Sequence, residues 1–342
     1  MVYQYDKPCA LITGAAGFIG ASLSRRLIDD GYRVIGIDNM NGYYDRRLKE
    51  ARCRLLMNAP SFSFLKGDIQ ENGFLSDIFA RERPEIVVNL AAQAGVRYSA
   101  ENPRSYLDCN VVGTFELLEA ARRNPPRHMM LASTSSVYGA SPALPYAETD
   151  KADMPLSFYA ATKKATEAMA HSYAHLYGLP ITMFRFFTVY GPWGRPDMAL
   201  FTFLQRILAG VPIDVYNHGR MARDFTYIAD LVEAVTRLLP HAPPPAGQGA
   251  AVAGDSLSPV APWRVVNIGN ARPVALSDFI CAIEHACGRR AELNFLPMQS
   301  GDVPETLADV GLLRRLTGFT PATPLAAGIG ASVAWYRGFY AV

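Results

Sequence analysis

A doubly wound parallel α/β sheet with a smaller C-terminal α+β lobe is the fold this sequence predicts. Three observations predict it. Short apolar runs alternate with helical patterns up to about residue 186. The first run feeds a glycine-rich turn, Gly14-Ala15-Ala16-Gly17-Phe18-Ile19-Gly20, that opens a helix. Beyond residue 186 the alternation loosens. Unbroken apolar strands separated by helices imply a parallel sheet covered on both faces.

Residues 8–13 (Pro-Cys-Ala-Leu-Ile-Thr) predict the first strand. The helix after the turn carries Leu23, Leu27 and Ile28 on one face, with Gly31 near its end. Arg33 to Ile37 is the second strand, closed by Asp38, and Phe62 to Leu65 the third, ending near Asp68. Further strands are expected at 85–90, 128–132, 181–186 and 265–268, with a helix from Ser277. Trp193-Gly194-Arg195-Pro196 and Pro212 read as loop segments over the sheet. Residues 240–262, rich in Pro, Ala, Gly and Ser, predict a surface loop without chemistry of its own.

The chain has 342 residues, is half apolar and 19% charged, and fits a soluble globular protein with a large core. A net charge of +2 gives no footprint for nucleic acid or an anionic membrane. The glycine turn begins about a dozen residues in, and no later apolar run spans a bilayer, so a cytoplasmic protein is expected. The five cysteines form no C-x-x-C pair, which argues against a disulfide framework or a zinc knuckle. His171 and His175 have helical ligand spacing, but Ser172 stands where the zinc-protease motif needs glutamate, so no metal is expected.

The glycine turn predicts a dinucleotide site. Gly14 permits the bend, Gly17 the approach of a pyrophosphate, and Gly20 close helix–strand packing. Phe18 and Ile19 begin the helix whose positive end takes the phosphates. Asp38, 18 residues past Gly20, can accept both adenosine ribose hydroxyls and repel a 2′-phosphate, favouring NAD over NADP. Asn39 follows it, Asp68 and Ile69 reach toward the adenine, and Leu90, at the end of the fourth strand, with Ala91 and Ala92 just after it, gives further expected cofactor contacts.

Tyr159 and Lys163 lie one helical turn apart on one helix face. A phenol held near a cation and a nicotinamide is a base for alcohol oxidation. Moving its pKa from near 10 to near 7 takes roughly 4 kcal/mol. One positive charge about 6 Å away at an effective dielectric near 20 supplies roughly 2.8 kcal/mol, so Lys163 and an oxidised nicotinamide together suffice. Thr134-Ser135-Ser136 follows the fifth strand at its carboxyl end, where a hydroxyl can share the proton.

At these residues the chain resembles the extended short-chain dehydrogenase/reductases, a Rossmann-type family, and within them the nucleotide-sugar epimerases of the UDP-glucuronate 4-epimerase type. The likeness runs through Asp38 to Asp45, Leu90 to Ser99, Arg185 to Met198, Arg223 to Tyr227 and Gly301 to Thr306. It implies that Thr134, Tyr159 and Lys163 are catalytic. It implies substrate contacts from Arg97, Ser135, Ser136, Thr188, Arg195, Arg223, Gln299 and Asp302, with Arg223 on the diphosphate. It implies an NAD-binding unit at 1–185 plus about 225–268, and a sugar-binding lobe at 186–224 and 269–342. It implies a homodimer paired through helices near 103–122 and 160–177. Asn89 stands where histidine is common.

The implied reaction is C4 oxidation of a UDP-sugar, turnover of the keto sugar, and reduction from the opposite face. Dehydratases need an added acid and base after the threonine; Ser135 and Ser136 cannot serve. A 4-keto glucuronate tends to lose carbon dioxide. The serines, Thr188 and a directional Arg195 contact are expected to pin its carboxylate. The competing readings are a UDP-glucose 4-epimerase, a UDP-glucuronate decarboxylase and a non-catalytic NAD-binding protein.

Overall fold

The computed structural model describes residues 7–248, 252–299 and 301–342. Six strands come first: β1 (Cys9–Thr13), β2 (Arg33–Asp38), β3 (Phe62–Lys66), β4 (Ile86–Asn89), β5 (His128–Thr134) and β6 (Ile181–Phe186). Then follow β7 (Thr188–Tyr190), β8 (Ile213–Val215), β9 (Ala222–Tyr227), β10 (Trp263–Ile268), β11 (Pro273–Ala275) and β12 (Leu293–Phe295). A seven-stranded sheet has the order β10-β6-β5-β4-β1-β2-β3. Every neighbouring pair in it is parallel.

The unbroken apolar strands conceal a period of two. In β1, Ala10 and Ile12 enter a core that includes Leu23, Leu27, Leu231 and Val235. Leu11, between them, faces the opposite core with Leu117, Leu118, Ala170 and Ala174. Each face is therefore sealed by helices, as a parallel sheet requires. The strand order reverses between β1 and β4, so the crevice at their carboxyl ends is the switch point where open α/β sheets bind ligands.

The looser C-terminal pattern resolves into small sheets. β11-β9-β7 and β12-β8 pack with the helices Ala199–Ala209, Leu276–Cys287 and Leu325–Tyr340. Phe201, Phe203, Phe279 and Val333 share this third core, where Phe225 stacks on Phe279 at 4.1 Å. Strands of three residues are too short to show a period, which is why the sequence pattern did not predict them. Predicted edges also move: β5 runs on to Thr134, β10 begins at Trp263, and the helix begins at Leu276.

Residues 249–251 of the Pro/Gly-rich stretch lie outside the described residues. From 252 onward that stretch is tied down. Arg264 grips Asp255 with two bonds of 2.8 and 2.9 Å. His171 meets Ser258 Oγ at 2.9 Å and His175 the Val260 carbonyl at 2.8 Å. The two helical histidines thus hold a loop. All five cysteines are free thiols, and no described helix is long and apolar enough to cross a membrane.

His128 opens β5 fully buried, between the Leu239 carbonyl (3.0 Å) and Thr182 Oγ1 (2.9 Å). Burial pushes its pKa down to about 4. The unfolded chain takes this proton near pH 6.5 and the folded chain only near 4, so the unfolded state binds more protons in between. Stability therefore falls as pH drops through this window, by up to about 3 kcal/mol. Denaturant unfolding at pH 7 and pH 4 is expected to show this loss in the wild type and to lack it in His128→Gln.

Candidate active site

Thr13, the last residue of β1, anchors the switch point. Its hydroxyl donates to Asn89 Oδ1 at 2.5 Å and accepts from the Leu90 and Ala91 amides at 3.2 and 3.1 Å. Asn89 thereby ties β4 to β1. Gly14 follows at φ +69, where a Cβ would lie 2.8 Å from the Ala91 nitrogen. A Cβ on Gly20 would sit 2.1 Å from the Gly14 carbonyl oxygen, so this glycine permits the helix to close on the turn. The helix Phe18–Asp29 starts at Gly17 with no side-chain cap and no acidic residue in its first turn. Its positive end is left for an anion, which fits a dinucleotide pyrophosphate.

Asp38, 7% exposed, ends β2 beside this turn. Its carboxylate accepts from Ala16 N (3.2 Å), Met40 N (2.8 Å) and Lys49 Nζ (3.1 Å). Asn39 Nδ2 donates to Asp68 Oδ2 at 2.9 Å, joining the ends of β2 and β3. Every candidate cofactor residue lines one cleft of about 800 Å³.

The same cleft reaches the opposite side of the switch. Ser157 caps the helix Phe158–Tyr177 by accepting from Ala160 N at 3.1 Å, which presents Tyr159 in the first turn and Lys163 in the next. Thr134 ends β5, and its hydroxyl bonds Ser136 Oγ at 3.2 Å. Burial pushes the Tyr159 phenol above its ordinary value, while a hydrogen bond with Thr134 and the Arg195 charge pull the other way. The Lys163 ammonium donates to the Ala132 carbonyl at 2.7 Å, and burial brings its pKa down to about 8. Thr134 and Arg195 both favour the Tyr159 anion.

Of the candidate substrate residues, Arg97, Ser135, Ser136, Thr188, Arg195, Arg223 and Asp302 line the cleft. Gln299 does not, and its carbonyl accepts from Asp302 N at 3.3 Å. Arg97 bonds Asp302 at 3.2 Å and lies 4.4 Å over the Tyr216 ring. Arg223 donates to the carbonyls of Ala222 (2.9 Å) and Pro304 (3.0 Å). Arg195 Nε donates to Asp197 Oδ1 at 3.0 Å, and its Nη2 bonds the other oxygen. Tyr43 donates to Asp197 at 3.3 Å.

Sequence reasoning missed Lys49, Arg52, Glu167, Arg185 and Asp197. Glu167 and Arg185 form a buried bidentate pair, with both bonds at 2.9 Å, behind the carboxyl end of β5. Ser133 donates to the same carboxylate at 2.6 Å. Burial raises the Glu167 carboxyl, but Arg185 outweighs it and holds the group below its ordinary range. A helical Glu and a strand Arg 18 residues apart carry no local signal; only the helix–sheet packing joins them.

A dinucleotide turn and a Tyr-x-x-x-Lys helix converging on one cleft define a dinucleotide-dependent enzyme acting on an alcohol or carbonyl. The model of the NAD dependent epimerase/dehydratase family matches residues 10–250, and the chain belongs to this family. It is 53% identical to a probable UDP-glucuronate 4-epimerase of Rhizobium meliloti, over 95% of this chain and 96% of that protein. It is 46% identical to UDP-glucuronate 4-epimerase 4 of Arabidopsis thaliana, over 96% of this chain and 75% of that protein. Among solved structures, the UDP-glucuronic acid 4-epimerase of Bacillus cereus in complex with UDP-glucuronic acid and NAD superposes with a TM-score of 0.85. That likeness is at 31% identity and covers 97% of this chain and 100% of that chain.

Glu167→Gln removes the countercharge of Arg185 in a dry site. Stability is expected to fall by about 3–5 kcal/mol, read from denaturant midpoints at pH 7.

Proposed function

We propose that this chain interconverts UDP-glucuronate and UDP-galacturonate at C4. One observation carries the choice of an acid sugar. Arg195 reaches the same cleft as Tyr159, close enough for its charge to pull the phenol down. The relatives of that name and the likeness to the Bacillus cereus enzyme support it.

Bound NAD supplies the acceptor and donor of the C4 hydride and a positive charge over the cleft. Tyr159 takes the proton of the sugar 4-hydroxyl and returns it after the keto sugar has turned. Thr134 shares that proton through its own hydroxyl, which bonds Ser136 at 3.2 Å. Lys163, on the Ala132 carbonyl at 2.7 Å, anchors the tyrosine's helix to β5 and leaves donors for the nicotinamide ribose. Arg223 and Arg97 hold the diphosphate, with Asp302 on the same side. Ala91, Ala92, Ala94 and Gly95 line the cleft with little bulk, which leaves room for the keto sugar to rotate.

Loss of carbon dioxide from the keto acid requires its carboxylate to swing out of the carbonyl plane. Ser135, Ser136, Thr188 and the Arg195 fork restrain it by orientation. Ser135 and Ser136 provide no acid–base pair for dehydration. A neutral sugar is the second reading, favoured by Asp197, which already pairs with Arg195.

The large sheet (1–185 with about 225–268) takes NAD, and residues 186–224 with 269–342 take the UDP-sugar. Phe115, Leu176 and Tyr177, exposed on the helices Gly113–Arg123 and Phe158–Tyr177, support pairing of two copies. Free thiols throughout fit a reducing cytoplasm.

Incubation with UDP-glucuronate and no added NAD, followed by proton NMR, is expected to give UDP-galacturonate at a stable ratio. Release of UDP-pentose and carbon dioxide would make the chain a decarboxylase. Turnover of UDP-glucose alone would establish the second reading. Tyr159→Phe is expected to lower kcat by about 10²–10⁴-fold in the same assay. Arg195→Ala is expected to raise KM for UDP-glucuronate and to divert part of the flux to carbon dioxide.

A further inference from the structure

We propose that Arg52 is a positioning residue: it ties the loop that carries Arg195 to the glycine turn of the cofactor site. The proposal rests on the reading that Arg195 holds the sugar carboxylate. Arg52 lies on the helix Arg46–Met57 and is 2% exposed. Its Nη1 donates to the Ala16 carbonyl at 3.1 Å, inside the glycine turn, and to the Tyr44 hydroxyl at 2.9 Å. Its Nη2 donates to the Trp193 carbonyl and, at 3.3 Å, to that of Gly194. Arg195 is the next residue.

Two independent features distinguish this contact from ordinary packing. Among the described residues Arg52 has no carboxylate partner, although a buried charge is costly unless compensated. Its compensation comes from three carbonyls and a phenol, drawn from both halves of the cleft. Trp193, moreover, has φ +65, a conformation that a bulky side chain rarely adopts. The indole is held 5.1 Å from both Trp335 and Phe339, and the carbonyl by Arg52. A strained residue persists only where its surroundings over-determine it, and such residues cluster at ligand clamps.

The geometry divides the work on Arg195. Asp197 orients its guanidinium, and Arg52 fixes the backbone from which it extends. A lysine at 52 keeps the charge but cannot span two carbonyls on one side and a carbonyl and a hydroxyl on the other. A small displacement of the loop then moves the Arg195 fork relative to the sugar, whereas contacts to UDP are made elsewhere in the cleft.

The test is a double-mutant cycle on the NAD-loaded enzyme, with bound nucleotide measured after denaturation. Arg52→Lys is expected to raise KM for UDP-glucuronate by about tenfold or more. It should leave the inhibition constant of UDP-glucose, which has no carboxylate, within about twofold, and should retain NAD. In an Arg195→Ala background Arg52→Lys should add nothing further to KM. An equal weakening of UDP-glucose, loss of NAD, or independent multiplication of the two effects would overturn the proposal while leaving the role of Arg195 intact. An unchanged KM in Arg195→Ala alone would instead remove the acid-sugar reading, and this proposal with it. If Arg52→Lys does not fold, Trp193→Gly frees the strained residue without touching the guanidinium and should give the same pattern. Its failure to do so would count against Arg52.

Discussion

The closeness of β1 and β4 at their carboxyl ends is the constraint on which the rest of the site depends. There is no space for a side chain between the turn and Leu90-Ala91, and the backbone lies at φ +69, so residue 14 must be glycine. Thr13 closes the same gap with one hydroxyl serving three partners. The turn then has a single position relative to the sheet, and the helix behind it directs its uncapped end into the cleft. A looser junction would still make a parallel sheet, but it would not place an anion site beside the end of β5.

Buried cations make up much of the remaining site, and each is compensated differently. Lys49 pairs with Asp38 at 3.1 Å, and Arg185 with Glu167 at 2.9 Å. Lys163 donates to a carbonyl, and burial brings its pKa down to about 8 against the pull of Cys109 and Glu167. Arg52 relies wholly on neutral oxygens. Fully paired cations hold the frame. Cations left on carbonyls keep a net positive field near the cleft.

Burial alone drives a phenol toward its neutral form. The expected partner of Tyr159, one helical turn away, has its ammonium on a strand carbonyl. Thr134 on β5 and Arg195 on a distant loop favour the Tyr159 anion. If Arg195 also meets the sugar acid, one side chain links substrate recognition to the readiness of the base.

Much of this was legible in the chain itself. The seven main strands, the glycine turn, Asp38 and the Tyr159–Lys163 spacing were readable because each is a local pattern, set by sterics or periodicity over a few residues. The three-residue strands were too short to leave such a pattern, and the loop from 252 to 262 read as loose although Asp255, Ser258 and Val260 bind it to the core. The pairs Glu167–Arg185, Arg195–Asp197 with Tyr43, and Arg52 with Trp193 belong to the tertiary structure. Their partners come from separate elements or depend on loop geometry. The candidate cofactor and catalytic positions were therefore determined by the sequence, through short-range backbone and side-chain rules. Which charges meet, and which remain available to a ligand, was decided only when packing removed water from between elements far apart in the chain.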